Sequence, residues 1–335
     1  MLKTLFFGTP DFALPSFRAC LEHSTLLGVV TQPDRPRGRG HQVLPCPVKE
    51  AALATGLPAF SPASLRKPSA DLEALQSFFR DHPADLFVVT AYGNLLPQTV
   101  LDLPRLGCVN VHASLLPRWR GAAPIQRSLE AGDTETGVCL QKMVMELDAG
   151  DVLLESRQRL TLSENAKDLT ASLSQAGGDL LVRFFQSAPT ALVGRPQDAS
   201  AVTIAPKIRR EEALWKASWS ATGTHNKVRA FAAWPVVQAQ IEGLGLCKLI
   251  RTELLVNPPS AALNLEPGEL RILDKKVCLG SSLRPSEPRR ALVLEQFQPP
   301  NKGPQKAYDV LQNEFKKRAA AGLAAPRLVQ VEGAL

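Results

Sequence analysis

The sequence predicts an α/β protein of two domains, a Rossmann-like, mostly parallel sheet followed by a smaller, OB-like β-barrel, and three observations carry that expectation. First, apolar runs at 2–7 and 26–31 flank a helical pattern with Leu14, Phe17 and Leu21. A strand–helix–strand order of this kind pairs its strands in parallel through a right-handed crossover. Second, residues 187–201 are rich in Pro, Gly and small polar residues, which is linker composition. Third, beyond Pro206 short apolar runs recur at 236–241, 246–255, 270–272, 276–279 and 291–297 with turn residues between them. Regularly spaced short strands are the mark of a small antiparallel barrel. The expected division is therefore a first domain over 1–187, a linker over 188–205 and a second domain over 206–335.

In chain order, the first strand closes at Gly8, and a single glycine there is not the GxGxxG of a dinucleotide site. The stretch 32–47 (QPDRPRGRGHQVLPCP) has no apolar period and reads as an exposed loop of more than ordinary length, carrying Arg35, Arg37, Arg39 and His41. A helix is expected over 48–55, a short edge strand over 57–60 and an amphipathic helix over 70–79. The run DLFVVT (85–90) is continuously apolar, as in a strand buried on both faces, and it delivers Ala91, Tyr92 and Gly93 to a turn. A strand follows at 107–112, then a helix over 123–131, strands over 136–143 and 152–160 around the acidic turn LDAGD (147–151), and a helix over 169–185. In the second half, helices are expected over 211–219, 224–233 and 307–321.

Composition narrows the class. With 335 residues and 44% hydrophobic content, each domain has material for a core. No apolar run is long enough to cross a membrane, and MLKTLFFG is cut short by GTPD before it forms a signal segment, so a cytoplasmic protein with no membrane partner is expected. Six scattered cysteines without a CxxC pair indicate neither a disulfide framework nor a metal site, and no metal is expected. Residues from 201 onward hold 20 Lys/Arg against 12 Asp/Glu, whereas those before hold 19 against 20. The basic excess lies in the second half and points to a polyanionic partner, although a solvated basic surface explains charge alone equally well.

The candidate reaction centre is VNVHASLLPRWRG (109–121). Its alternation is that of a half-buried strand, so Asn110 and His112 share one face, and the strand then breaks into a loop punctuated by Pro and Gly. Open α/β sheets bind their ligands at such strand C-termini. The run from 109 to 138 together with LDAGDVL resembles the formyltetrahydrofolate-dependent formyltransferases. FFGTPDFALPSF, TQPDRPRGRG and RAFAAWP extend the resemblance over most of the chain, and the match loosens in the linker and second domain. The resemblance implies a catalytic set of Asn110, His112 and Asp148, and a folate pocket formed by Ser114, Leu115, Leu116 and Pro117, with Tyr92 nearby. It further implies formyl transfer from 10-formyltetrahydrofolate to the free amino group of methionyl initiator tRNA, by a monomer whose 206–335 domain binds tRNA. Arg35, Arg37, Arg39 and His41 then become RNA contacts. Asn110 would donate to the developing oxyanion, His112 would move the proton that the leaving nitrogen requires, and Asp148 would orient the imidazole ring. Relatives that formylate sugar amines or small purine precursors have no use for an Arg-rich loop and a basic second half, and these features favour tRNA.

Overall fold

Apolar residues run without alternation through KTLFFG, and they form β1 (Lys3–Gly8), a strand covered on both faces. In the computed structural model, which describes residues 1–37, 42–283, 287–288 and 290–331, Phe6 meets Phe17 of α1 (Leu14–His23) at 5.9 Å and Phe7 meets Phe87 at 5.2 Å. The chain continues through β2 (Thr25–Val30), β3 (Arg35–Arg37), β4 (Gln42–Leu44), α2 (Pro47–Ala54), β5 (Ala59–Phe60) and α3 (Ala70–Asp81). There follow β6 (Leu86–Thr90), α4 (Gln98–Leu101), β7 (Cys108–His112), β8 (Arg120–Gly121), α5 (Pro124–Ala131), β9 (Glu135–Lys142), β10 (Val152–Arg159), α6 (Ala166–Gln186) and β11 (Ile204–Ala205). The helix α3 begins where Ser69 accepts a hydrogen bond from the Leu72 N–H at 3.2 Å, and Asp71 and Glu73 place negative charge in its first turn.

The main sheet has the order β10-β9-β7-β6-β1-β2-β5. It is parallel from β7 to β5 and antiparallel where β9 and β10 close the other edge. This is the mostly parallel α/β sheet expected from the opening strand order. It belongs to a unit made of residues 1–124, 135–159 and 170–205. Two readings of the sequence require correction here. The segment 32–47 is not all loop, because β3 and β4 pair antiparallel with Arg35 opposite Leu44, and Pro36 is tolerated in a two-stranded ribbon that has edges on both sides. Residues 188–205 do not hang free as a linker: β11 pairs with β8, the Arg120 N–H donates to the Thr203 carbonyl at 2.9 Å, and Arg195 bridges Val152. Backbone groups that find partners on the sheet rim have no reason to stay solvated.

A second unit comprises residues 125–134, 160–169 and 206–335. It contains α7 (Ala221–Ala230), β12 (Gln238–Ile241), β13 (Gly245–Leu255), α8 (Ser260–Leu263), β14 (Leu270–Leu273), β15 (Lys276–Leu279), β16 (Ala291–Gln298), β17 (Gln305–Lys306), α9 (Ala307–Ala320) and β18 (Leu328–Val329). Its sheet has the order β14-β15-β16-β13-β12-β18, with every neighbour antiparallel. The two ends of that order meet where Glu269 bridges Arg327, so the sheet closes as a barrel and leaves no free edge at the seam. Closure needs Gly268, which sits at φ 86° with the Leu328 carbonyl so near that a Cβ would overlap it. The helix expected over 211–219 is only a 3₁₀ turn at Arg210–Ala213. Leu214 bridges Gln238, the Trp215 N–H donates to the Gln238 carbonyl at 2.8 Å, and Trp215 is buried, so pairing with the barrel overrides local helix preference. All six cysteines are buried free thiols, and among the described residues no helix is long and apolar enough to cross a membrane.

His225 of α7 is buried, its Nε2 donating to the Leu162 carbonyl at 2.8 Å and its Nδ1 lying 2.9 Å from the Thr252 hydroxyl. The neutral ring satisfies both partners, and burial pushes its pKa down from 6.5 to about 4. Since the unfolded chain takes up this proton near pH 6.5 and the folded chain does not, stability falls as pH drops through that window. Between pH 7.5 and 5 the wild type is expected to lose about 2 kcal/mol more than His225→Gln, measured by urea unfolding at each pH.

Candidate active site

The period of two in VNVH puts Asn110 and His112 on one face of β7 at its C-terminal end, and β9 lies directly beside it with Asn110 opposite Gln141 and His112 opposite Cys139. The acidic turn after β9 brings Asp148 to the same place. Asp148 stands at φ 51°, a left-handed conformation that Asp adopts more readily than most residues. Its carboxylate is 11% exposed and well supplied with donors. Oδ2 accepts from the Gly121 N–H at 2.9 Å and lies 3.6 Å from His112 Nδ1, while Oδ1 accepts from Gln141 Nε2 at 2.9 Å and lies 3.5 Å from Asn110 Nδ2. The three residues picked out in the sequence therefore converge, although Asp148 is 38 positions from Asn110.

His112 is buried, and its Nε2 donates to the Trp119 carbonyl at 2.9 Å. Both ring nitrogens thus face oxygen acceptors. The Asn110 amide is held loosely, since 3.5 Å is beyond a good N–H···O distance, and it keeps donor capacity for an incoming oxygen. The loop after β7 is built from its own residues: Ser114 is buried and donates to the Arg118 carbonyl at 2.6 Å, and the Leu116 N–H reaches Cys139 Sγ at 3.4 Å. Leu115 packs against Gly137, Leu116 is buried with Cys139 and Val152, and Pro117 remains half-buried. Ser114 and Leu116 are thus turned into the protein, shaping the loop from beneath.

Tyr92 lies in the core, its ring edge-on to Phe7 at 5.4 Å, and burial pushes its phenol up to about 12. Its backbone marks the rim, where its carbonyl accepts from Thr9 Oγ1 at 3.1 Å and Thr9 Oγ1 in turn accepts from the Gln32 N–H at 3.2 Å. Arg35 is exposed on β3 and Arg37 ends that strand, while Arg39 and His41 fall outside the described residues. Reading the sequence missed Gln141 and the Gly121 N–H. A polar residue inside the otherwise apolar VCLQ run was the available signal for Gln141, and a backbone donor has no side-chain signature at all.

Comparison with known proteins gives the family and the fold of the chain. The sequence profile described as formyl transferase matches residues 2–185. The chain belongs to the formyl transferase family. A methionyl-tRNA formyltransferase of Thermosynechococcus vestitus is 46% identical over 268 residues, which is 79% of this chain and 78% of that protein. One from Methylococcus capsulatus is 40% identical over 312 residues, covering 92% and 96% of the two chains. Among solved structures, the sugar 3N-formyl transferase WlaRD, crystallised with dTDP and 5-N-formyl-THF, matches with a TM-score of 0.63 at 14% identity over 90% of this chain and 99% of that one. An N-formyltransferase of Helicobacter canadensis, in complex with folinic acid and dTDP-3-aminofucose, matches at 0.62 and 13% identity over 89% and 100%. The shared fold of this formyl transferase thus extends through its second unit.

The Asp148 turn is tightly built. A Cβ on Gly150 would overlap the Lys142 carbonyl, and one on Gly121, at φ 122°, would lie 2.8 Å from the Ala205 carbonyl oxygen. Gly150→Ala is expected to cost about 1–3 kcal/mol in a urea titration, because the obstacle is backbone and cannot swing aside.

Proposed function

We propose that the protein transfers the formyl group of 10-formyltetrahydrofolate to the free amino group of methionyl initiator tRNA, giving N-formylmethionyl-tRNA for translation initiation. The observation that carries this reading is the convergence of Asn110, His112 and Asp148 at one strand end, in a chain 40% identical to a methionyl-tRNA formyltransferase over 92% of its length. The donor's fit is supported by Gln141 Oε1, on the side chain that bonds Asp148, and by Gln32 Nε2 on the rim beside Thr9 and Gly93, both buried with no protein partner among the described residues. The loop of Ser114, Leu115, Leu116 and Pro117, with the Tyr92 turn, would hold the folate, which brings the formyl carbon.

Attack by an amine on a formyl carbon places negative charge on the formyl oxygen. The loosely held Asn110 amide meets that charge as a preorganised donor. The attacking amine gives up one proton and the departing nitrogen gains one; His112 carries it between them, and Asp148 holds the ring in orientation through Nδ1. On this reading the unit of residues 1–124, 135–159 and 170–205 carries the reaction and 206–335 bind tRNA, and the protein works in the cytoplasm as a monomer. Arg35, Arg37, Arg39 and His41 contact the acceptor end. The excess of Lys/Arg from residue 201 onward supports a polyanionic partner there.

Incubation with methionyl initiator tRNA and 10-formyltetrahydrofolate is expected to yield formylmethionyl-tRNA; formylation of a nucleotide-linked amino sugar alone would overturn the assignment. Asn110→Ala and His112→Ala are each expected to lower kcat by about two to three decades with an unchanged circular dichroism spectrum. Affinity for the tRNA should fall steeply with salt, and replacing Arg35, Arg37 and Arg39 together by Ala should flatten that slope, by about one for each phosphate that is no longer neutralised.

A further inference from the structure

We infer that Gln197 is a positioning residue for formyl transfer, fixing from a distant segment the turn that presents Asp148 to His112. The inference rests on the function proposed above. Asp148 occupies a left-handed φ of 51°, and a turn in that conformation keeps its shape only when its surroundings over-determine it. Gln197 supplies the constraint. Its Nε2 donates to the Asp148 carbonyl at 2.8 Å and to the Gly150 carbonyl at 2.7 Å, so one amide group spans the turn and both of its protons are used.

The orientation of that amide is itself fixed. Gln197 Oε1 accepts from Arg120 Nε at 3.0 Å, and the buried Arg120 also donates through Nη1 to Glu146 Oε1 at 2.9 Å, on the chain leading into the turn. A flipped amide would set its oxygen against two carbonyls and its protons against a guanidinium. The next residue, Gly121, gives its N–H to Asp148 Oδ2, so β8 grips the carboxylate directly while Arg120 grips the turn through Gln197. Backbone pairing keeps the segment in place, with Arg120 N–H donating to the Thr203 carbonyl and Ala122 N–H to the Ala205 carbonyl, each at 2.9 Å. None of these groups belongs to the set of Asn110, His112 and Asp148, so Gln197 acts through Asp148 and through the angle at which its carboxylate meets the ring.

The test is Gln197→Met, which keeps length and removes both donors, made in the wild type and in an Asp148→Ala background. Ser200→Ala serves as a control in the same segment. Single-turnover formylation resolves slow variants. In the wild-type background Gln197→Met is expected to lower the rate ten- to a hundredfold, with KM for the formyl donor and for the tRNA within about twofold and the melting temperature close to that of Ser200→Ala. In the Asp148→Ala background the same substitution is expected to cost less than twofold, because a residue acting only through Asp148 has nothing left to position. Equal losses in both backgrounds, a rise in KM in place of the rate loss, or a wild-type rate in Gln197→Met would each overturn the inference. Those outcomes are read with an active wild-type enzyme, whereas an inactive wild type overturns the proposed function first.

Discussion

The site depends on holding one largely buried carboxylate, that of Asp148, charged and correctly turned. A carboxylate removed from water is costly unless its lone pairs are met. Here a backbone N–H from Gly121 and the Gln141 amide bond its two oxygens, and His112 and Asn110 stand within 3.6 Å. The strong bonds go to the groups that have no part in the proposed chemistry. The weaker approaches go to Asn110 and His112, which leaves the Asn110 amide able to bond elsewhere.

That division of labour follows from the sheet. Reversing direction at β9 places Gln141 directly opposite Asn110 and lets a short turn carry Asp148 back over the end of β7. The glycine at 150 is needed because that return runs against the Lys142 carbonyl. β8 and β11 pair beside it, and the Gly121 N–H of β8 and the Gln197 side chain reach the turn.

How much of this was legible depends on whether a feature is local in sequence. Asn110 and His112 share a face by the period of two alone, and the α/β character follows from the opening strand order, so both could be read directly. Asp148 could be placed only through family resemblance, since nothing in its own surroundings distinguishes it from a turn former. Gln197 was hidden in a stretch whose Pro, Gly and small polar residues look like linker, because composition reports what a segment lacks in apolar faces and says nothing of hydrogen bonds to a rim. The misread helix over 211–219 fails for a related reason: Leu214 and Trp215 find partners in Gln238, a strand that no local window includes. Tyr92 shows the same dependence: its place at a strand end suits a packing residue as well as a folate contact, and the structure puts its ring in the core against Phe7.

Charge and geometry act over different ranges in this protein. Ion pairs within the second half, such as Arg251–Glu295, Lys276–Glu253 and Arg318–Glu242, cancel charges in equal numbers and leave its excess of 20 Lys/Arg over 12 Asp/Glu intact. An excess of that kind acts over the Debye length, roughly 8 Å at physiological salt, and serves encounter and affinity for a polyanion without specifying any atom. The Asp148 cluster works within hydrogen-bond distance and tolerates no such looseness. Substitutions that spread or remove surface charge should therefore shift binding and its salt dependence, while those that loosen the turn shift the rate, and the two classes of effect separate because they rest on different physics.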